Sequence, residues 1–190
     1  MRNEVVEFSC KVSDIFIKGE HNIQNSMAVI IAAKIFNLES EKILEALKSF
    51  KGVEHRLELV REIEGVKFIN DSKATNVDSV VVALKSIEEP IFLILGGQDK
   101  GNDYSMIEDL VIEKVKKIYA IGSSAEKVFN YFHSKVKTEI KKDIDEVINT
   151  ALSEARDGDV VLLSPACASF DMFDNYEHRG KIFKQIVNSI

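Results

Sequence analysis

Short apolar runs alternate with amphipathic stretches along the chain from about residue 66 onward. The runs, each rich in Ile, Val or Leu and of strand length, are 66–69, 91–96, 117–122, 135–138 and 159–164. Between them, apolar positions recur at helical spacing, as in 77–84 and 144–155. Strands that are apolar on both faces and alternate with helices are typical of a parallel sheet covered on both sides. The pattern predicts an open α/β domain, with a mostly parallel sheet and helices on both faces, over residues 53–190.

Polar residues at the predicted helix starts agree with this pattern. Four side chains that can cap a helix stand there: Ser40, Thr75, Ser123 and Asp143. Each of the last three has an acidic residue three positions later, which is capping-box spacing. We therefore expect these four residues to be helix N-caps.

The first fifty residues have a different pattern. Residues 5–22 predict one or two strands closing on a turn, and 23–36 and 40–50 predict two helices. Two strands and a helix pair bury too little apolar surface for an independent core. We expect residues 1–52 to be the end of a larger domain, with 50–56 as a linker.

Composition and charge exclude several classes of partner. The chain of 190 residues is 45% hydrophobic and has a formal net charge of -6, whereas nucleic acid favours a basic face. The apolar runs are too short to span a bilayer, and the first residues lack the apolar segment of a signal peptide. Cys10 and Cys167 lie far apart without metal-binding or redox spacing, which indicates free thiols. We expect a cytoplasmic protein with no nucleic-acid or membrane partner.

Three polar segments follow predicted strands: INDSKATN (69–76), GGQDKG (96–101) and SPACASFD (164–171). Each alone has an ordinary structural explanation, as a helix cap at Thr75, a glycine turn with a solvated Lys100, or a small-residue turn. Together they stand where open parallel sheets bind ligands, beyond the carboxyl ends of strands. Glycine backbone, lysine and free amides before a helix suit a carboxylate or phosphate. The convergence predicts an anion-binding site.

Other chemistries have weak support. Neither G-x-G-x-x-G nor the P-loop G-x-x-x-x-G-K-[ST] occurs. The serines of SPACASFD lack the G-x-S-x-G context, and Cys167 has no evident histidine partner, so a nucleophilic hydrolase is not indicated. The histidines show no H-x-H or H-E-x-x-H spacing, and we expect no metal site in this chain.

With these segments in view, the chain resembles the Mur ligases. The resemblance rests on GEHNIQN (19–25), GVEHR (52–56), INDSKATN (69–76), LILGGQDKG (93–101) and LLSPACASFDMFDNYEHRG (162–180), in the family's order and spacing. It covers nearly the whole chain. Within the family, NDSKATN and SPACASFD are specific to the ligase that adds D-glutamate, since sister ligases typically carry a D-x-A-H type sequence at the first position.

The resemblance implies a place in a three-domain enzyme: a UDP-binding domain, a central ATPase domain and a C-terminal domain of dinucleotide-fold type. Residues 1–52 would be a remnant of the central ATP-binding domain, and 53–190 the C-terminal domain. Because the P-loop is absent from this sequence, the chain is expected to be inactive alone.

The implied activity is that of an ATP-dependent ligase of peptidoglycan precursor synthesis. It would add D-glutamate to UDP-N-acetylmuramoyl-L-alanine through an acyl phosphate, and this chain would supply the D-glutamate site and part of the ATP site. ATP and Mg²⁺ would serve the full-length enzyme, with the Mg²⁺ ligands outside this chain and neither cofactor bound tightly to it. UDP-N-acetylmuramoyl-L-alanine would be bound mostly through the other domains.

The same resemblance implies roles on the nucleotide side of the site. Asn22 and Asn25 are expected to contact the adenine end of ATP. Arg56 and Asp71 are expected to hold the sugar and phosphate region. Lys73 is expected to face the phosphate being transferred and so to act in catalysis.

On the amino-acid side, Thr75 and Lys100 are expected to bind one D-glutamate carboxylate, with Lys100 also counted as catalytic. The amides and hydroxyl around Ser169 and Phe170, with Tyr176, would bind the other carboxylate. Phe170 and Tyr176 stand where some relatives carry Leu and Phe. Backbone contacts at these positions are expected to survive the change, and side-chain packing is expected to differ.

Two alternatives stay open on the residues alone. The chain could be a stand-alone module that binds an acidic amino acid or a nucleotide, or a structural α/β domain without a ligand. An upstream P-loop in the same reading frame would favour the ligase over the module.

Overall fold

The computed structural model describes residues 20–190, and the chain forms two compact units that divide between Gly52 and Val53. In the first unit, two helices are described, α1 (Glu20–Ile35) and α2 (Ser40–Ser49). They confirm the two predicted helices. The strands predicted over 5–22 and the thiol of Cys10 lie outside the described residues, apart from 20–22, which begin α1.

The second unit contains the remaining elements. Its strands are β1 (Glu58–Ile63), β2 (Val66–Asn70), β3 (Ile91–Gly96), β4 (Val115–Ile121), β5 (Thr138–Ile140) and β6 (Val160–Leu163). Its helices are α3 (Val77–Ser86), α4 (Glu108–Lys114), α5 (Ala125–Phe132), α6 (Ile144–Glu154) and α7 (Tyr176–Ser189), with a 3-10 turn at Tyr104–Ile107 before α4. This alternation confirms the predicted α/β fold.

The strands form one six-stranded sheet in the order β1-β2-β6-β3-β4-β5. All neighbours are parallel except β1 and β2, which form an antiparallel hairpin at one edge. The hairpin turns at Glu64 and Gly65, both with positive φ, which matches the twist of a tight hairpin. The sequence analysis did not predict β1.

Two apolar layers cover the faces of the sheet. On one face, side chains of α3, α4 and α5 pack with Leu93 and Leu95 of β3. On the other, side chains of α6 and α7 pack with Phe92 and Ile94. Alternate residues of β3 thus enter opposite layers, as the pleat of a strand requires. Because both faces are buried, the sheet offers solvent mainly its strand ends.

The helix starts confirm one of the four predicted caps and correct the other three. Asp143 is the N-cap of α6, and its Oδ1 accepts a hydrogen bond of 2.9 Å from Glu146 N. The cap of α3 is Asn76 rather than Thr75, with Asn76 Oδ1 accepting from Ser79 N at 2.9 Å. Thr75 is therefore left outside the helix, in the polar segment before it.

The prediction for Ser40 was wrong, because Ser40 is already the first residue of α2. The N-cap of α2 is Glu39, whose side chain makes no cap hydrogen bond within the described part of the chain. The prediction for Ser123 was also wrong. Ser124 precedes α5, and its Oγ accepts from Gly97 N at 3.1 Å instead of capping the helix.

The fourth predicted strand is displaced. Residues 135–138 were expected to be extended, but β5 is Thr138–Ile140. Lys135 N and Val136 N both donate to Phe132 O, so the end of α5 continues as a turn through these residues. Val136 still packs against the core, which explains its apolar character without a strand.

Within residues 20–190, the structure contains no helix long and apolar enough to cross a membrane. Cys167 is a buried free thiol, and burial raises its pKa above the usual range.

Candidate functional site

The three polar segments meet at the carboxyl ends of the strands, because β2, β6 and β3 are adjacent and parallel. We call them the NDSKATN loop (70–76), the GGQDKG loop (96–101) and the SPACASFD loop (164–171). Backbone hydrogen bonds join them: Asp71 N donates to Leu163 O at 2.8 Å, and Gln98 N donates to Ala168 O at 2.9 Å. The predicted convergence of these segments is therefore present in the structure.

Asp71, the second residue of the NDSKATN loop, is buried, with 5% of its surface exposed. Its Oδ2 accepts from Ser164 Oγ at 2.8 Å and its Oδ1 from Leu57 N at 3.2 Å. Loss of hydration raises the pKa of this carboxyl to about 6, against the lowering effect of these hydrogen bonds and of Arg56. Asp71 thus ties the start of the NDSKATN loop to the SPACASFD loop and to the segment that carries Arg56.

Arg179, in the first turn of α7, is buried between two of the loops. Its Nε and Nη2 donate to Ser72 Oγ at 2.9 Å and Ser72 O at 2.8 Å, and its Nη1 donates to Cys167 O at 3.1 Å. The sequence analysis missed this residue. A signal was available, because Arg179, Phe183 and Val187 recur four apart and form the buried face of α7.

Asn70 connects the end of β2 with the segment around Arg56. Its Nδ2 donates to His55 Nδ1 at 2.9 Å and to Glu58 Oε2 at 3.2 Å, and its Oδ1 accepts from Ser72 N at 3.1 Å. Since Oδ1 already faces an N–H group, Nδ2 must face His55, and the ring hydrogen of His55 is on Nε2. Asn70 was quoted in the sequence analysis without a role, and its role here is to hold His55.

The backbone around Arg56 is constrained. His55 and Leu57 have φ of 65° and 45°, in the left-handed region that non-glycine residues rarely adopt. His55 also lies so close to α7 that a Cβ added at Gly180 would be 2.3 Å from His55 Nδ1. Asn70 and the close approach at Gly180 thus fix the conformation that presents Arg56 to solvent.

Glu54, His55 and Glu58 form a group whose ligand atoms lie within 4.8 Å of one another. The arrangement does not suit a metal ion. The ammonium of Lys184 already pairs with Glu54 and Glu58, and His55 Nε2 carries the hydrogen of the ring. The group is better described as an ion pair of Lys184 with two carboxylates.

The GGQDKG loop is held in place by its neighbours. Gly97 has a φ of 136°, and a Cβ there would be 2.5 Å from Ala168 O, so only glycine fits. Asp99 Oδ2 pairs with Lys127 Nζ at 2.7 Å, and Lys127 also donates to Asn102 O. Lys100 itself is exposed at the tip of this fixed loop.

On the other two loops, Lys73 Nζ lies 5.7 Å from the centre of the Tyr176 ring. Ser169 is 2% exposed, and its Oγ has no hydrogen-bond partner among residues 20–190. A buried hydroxyl without a partner costs stability unless a ligand pairs with it. Thr75 and Tyr176 are half-buried, and Phe170 is 66% exposed.

Asn22 and Asn25 lie on α1, in the first unit, where Asn22 is half-buried and Asn25 exposed. The remaining predicted site residues are in the second unit, on or next to the three loops or, for Arg56, beside Asp71.

Comparison with known proteins gives this geometry a family context. The sequence profile described as "Mur ligase, glutamate ligase domain" matches residues 55–167, more than half of the chain. The UDP-N-acetylmuramoylalanine--D-glutamate ligase of Caldicellulosiruptor saccharolyticus is 46% identical over 97% of this chain and 41% of its own length. The enzyme of the same name from Cytophaga hutchinsonii is 50% identical over 94% of this chain and 40% of its own. The chain thus spans about two-fifths of the length of these relatives.

Solved structures agree on the fold. The UDP-N-acetylmuramate-alanine ligase MurC of Thermotoga maritima matches with a TM-score of 0.69 and 17% identity, over 92% of this chain and 39% of that one. A pseudomurein peptide ligase type C from Methanothermus fervidus matches with a TM-score of 0.67 and 21% identity, over 92% and 37%.

Proposed function

This chain belongs to the Mur ligase family, through its glutamate ligase domain, and on that premise we propose that it is the acceptor-binding part of an ATP-dependent ligase. The ligase joins D-glutamate to UDP-N-acetylmuramoyl-L-alanine in the synthesis of peptidoglycan precursors in the cytoplasm. Support for the D-glutamate step comes from the relatives named for it, which match nearly the whole chain. The other substrates are bound mostly by parts of the enzyme outside this chain.

The observation that carries this proposal is the meeting of three loops that offer lysines, amides and an unpaired buried hydroxyl. D-glutamate has two carboxylates, and its amine must stay free to react. Thr75 and Lys100 are assigned to one carboxylate. Ser169, Phe170 and Tyr176 are assigned to the other, with Ser169 Oγ gaining the partner that it lacks among residues 20–190.

The reaction needs charge stabilisation and positioning from these side chains. The γ-phosphoryl group of ATP passes to a carboxylate oxygen of the nucleotide substrate, which gives an acyl phosphate and ADP. The amine of D-glutamate attacks the acyl carbon, loses a proton, and expels inorganic phosphate as the C–O bond breaks. Lys73 stabilises negative charge on the transferred phosphate, and Lys100 holds the acceptor so that only its nitrogen reaches the carbonyl.

The nucleotide side of the site is assigned to Asn22 and Asn25 for the adenine end and to Arg56 and Asp71 for the sugar and phosphates. Asp71 is buried and accepts hydrogen bonds from the Ser164 hydroxyl and from the backbone N–H of Leu57, which supports a role in fixing the backbone that carries Arg56. The whole enzyme requires Mg²⁺ in this proposal. The group of Glu54, His55 and Glu58 does not suit a Mg²⁺ ion, because Lys184 already pairs with both carboxylates, and no step above depends on one.

A titration of the chain with D-glutamate, followed by amide NMR, tests the acceptor site. We expect shifts at Thr75, Lys100, Ser169 and Phe170 with D-glutamate and not with L-glutamate. Lys100→Met should weaken binding about tenfold, as expected for loss of a charged hydrogen bond. The matched control is Lys85→Met, an exposed lysine in the last turn of α3, which should leave binding unchanged.

An equal response to both isomers would contradict the D-glutamate site and favour a module that senses acidic amino acids. The activity itself is measured in the whole enzyme as phosphate release that requires D-glutamate, ATP and the nucleotide substrate together. Phosphate release without D-glutamate, at the same rate, would contradict the assigned acceptor.

A further inference from the structure

Arg179 is a buried cation without an ion pair in the described part of the chain. The residue is 1% exposed, and no carboxylate of residues 20–190 lies within ion-pair distance of its guanidinium. Loss of hydration lowers its pKa to about 10, which leaves it charged at neutral pH. A buried charge is costly unless hydrogen bonds or an opposite charge compensate for it. Among residues 20–190, the direct hydrogen bonds of Arg179 go to neutral oxygens, and the carboxylate of Asp171 acts on it only from beyond ion-pair distance.

The contacts of Arg179 reach all three loops. It donates to Ser72 in the NDSKATN loop and to Cys167 O in the SPACASFD loop. The GGQDKG loop passes beside it, since a Cβ added at Gly97 would be 3.3 Å from Nη1. Arg179 therefore helps to fix the three loops relative to one another, together with the backbone hydrogen bonds that join them.

These contacts also set the direction of a peptide group. Ala168 O accepts from Gln98 N at 2.9 Å and lies 3.5 Å from Arg179 Nη1. In a trans peptide, the carbonyl and the following N–H point in opposite directions. The N–H of Ser169 is therefore turned away from Arg179 and Gln98, on the residue whose hydroxyl is also unpaired within the described chain.

We propose that Arg179 is a positioning residue for the amino-acid acceptor: it holds the Cys167 and Ala168 carbonyls on its own side, so that the Ser169 amide is presented to a ligand carboxylate. This inference rests on the proposed function, because the ligand is the acceptor amino acid. The charge of Arg179 adds to the effect, since it stands behind the amide and attracts an anion in a region of little water. Arg179 does not touch the ligand.

Binding of D-glutamate by Arg179 variants of the full chain is the first test. Arg179→Lys keeps the charge but loses the fork that reaches Ser72 and Cys167 together. We expect it to weaken D-glutamate binding about tenfold to a hundredfold, with Arg179→Met at least as severe. ATP binding should weaken less than D-glutamate binding, because only two of its five assigned contacts, Asp71 and Lys73, adjoin a residue that Arg179 contacts.

The matched control is Arg156→Lys. Arg156 also donates to backbone carbonyls, those of Ser153 and Ala155, but lies between α6 and β6, at the opposite end of β6 from the loops. It should leave D-glutamate binding unchanged. Equal weakening of D-glutamate and ATP by Arg179→Lys would show a general structural role and overturn the proposal.

A second measurement needs no ligand, so it tests the proposal even if Arg179→Met fails to fold. In the ligand-free chain, Arg179→Lys should shift the amide resonances of Lys73 and Ser169 and speed hydrogen exchange at Ser169, while Arg156→Lys should not. Unchanged Ser169 exchange would overturn the proposal. If the unmutated chain fails to bind D-glutamate, the proposed function fails and the inference with it; if it binds and the variants bind equally, only the inference fails.

Discussion

Replacement of Asp71 by Asn is expected to make the protein more stable at neutral pH, although Asp71 belongs to the proposed nucleotide site. Loss of hydration raises the pKa of this buried carboxyl from its usual 3.8 to about 6. The folded state therefore favours the protonated acid, and ionisation of Asp71 costs folding free energy as the pH rises. The cost is absent below about pH 3.8 and complete above about pH 6.

The size of the effect follows from the pKa. Each pKa unit corresponds to about 1.4 kcal/mol, so the rise from 3.8 to about 6 corresponds to about 3 kcal/mol of lost stability at neutral pH. Asn keeps the shape of the side chain: its Oδ1 can accept from Leu57 N, and its Nδ2 can donate to the Ser164 hydroxyl. Allowing about 1 kcal/mol for a weaker hydrogen bond, we expect Asp71→Asn to raise the free energy of unfolding by about 1–2 kcal/mol above pH 6.

Urea denaturation of both proteins, at pH values from about 3.5 to about 8, measures this difference, which should grow as the pH rises through the window given by the pKa. The control is Asp159→Asn. Asp159 is equally buried, but its carboxylate pairs with Lys116 Nζ at 2.7 Å and accepts from Arg156 N at 2.9 Å. Its neutralisation should destabilise the protein by about 1–3 kcal/mol. A stabilisation by Asp71→Asn that does not vary with pH, or a loss of stability like that of Asp159→Asn, would refute the reasoning.

Two further predictions concern stability, both measured by thermal and urea unfolding. Gly180→Ala places a Cβ 2.3 Å from His55 Nδ1, and overpacking of about 1–3 kcal/mol should outweigh the gain of about 1 kcal/mol in helix propensity. The control is Ser153→Ala, on the exposed side of α6. A Gly180→Ala protein that is more stable than the original would contradict the close contact. Asn76→Ala removes the cap of α3 and should cost about 1 kcal/mol, whereas Ser40→Ala should change stability by less than about 0.5 kcal/mol. Equal effects at these two positions would contradict the cap assignment.

The interior of the sheet could be predicted from the sequence because its residues are buried on both faces. The run 91–96 coincides with β3, all six residues of which are buried. β1 could not be found in the same way, since it is an edge strand with exposed and half-buried residues and an irregularity between Leu59 and Arg61. A run of apolar residues indicates a buried strand, whereas the residues of an edge strand are only partly buried.

The meeting of the three polar loops was also predictable, because loops that follow adjacent parallel strands lie at the same end of the sheet. The side chains that join the loops were not. Arg179 donates to Ser72, which lies 107 positions earlier, and Ser164 donates to Asp71 across 93 positions. Such contacts depend on which strands are neighbours in the sheet, and hydrophobic periodicity does not specify that order.

The place of β6 in the sheet has a consequence for biosynthesis. β6 is the last of the six strands of this sheet to be synthesised, yet it lies between β2 and β3 and carries hydrogen bonds to both. Until the ribosome has released it, β2 and β3 each leave one edge unpaired, and unpaired apolar strands are the usual starting point of aggregation. Closure of the sheet must also bring together residues that are distant in sequence, which is slow. A nascent chain that stops before Val160 therefore leaves these two strand edges open and lacks the SPACASFD loop, so the pairing of β6 and the meeting of the three loops are the same late event.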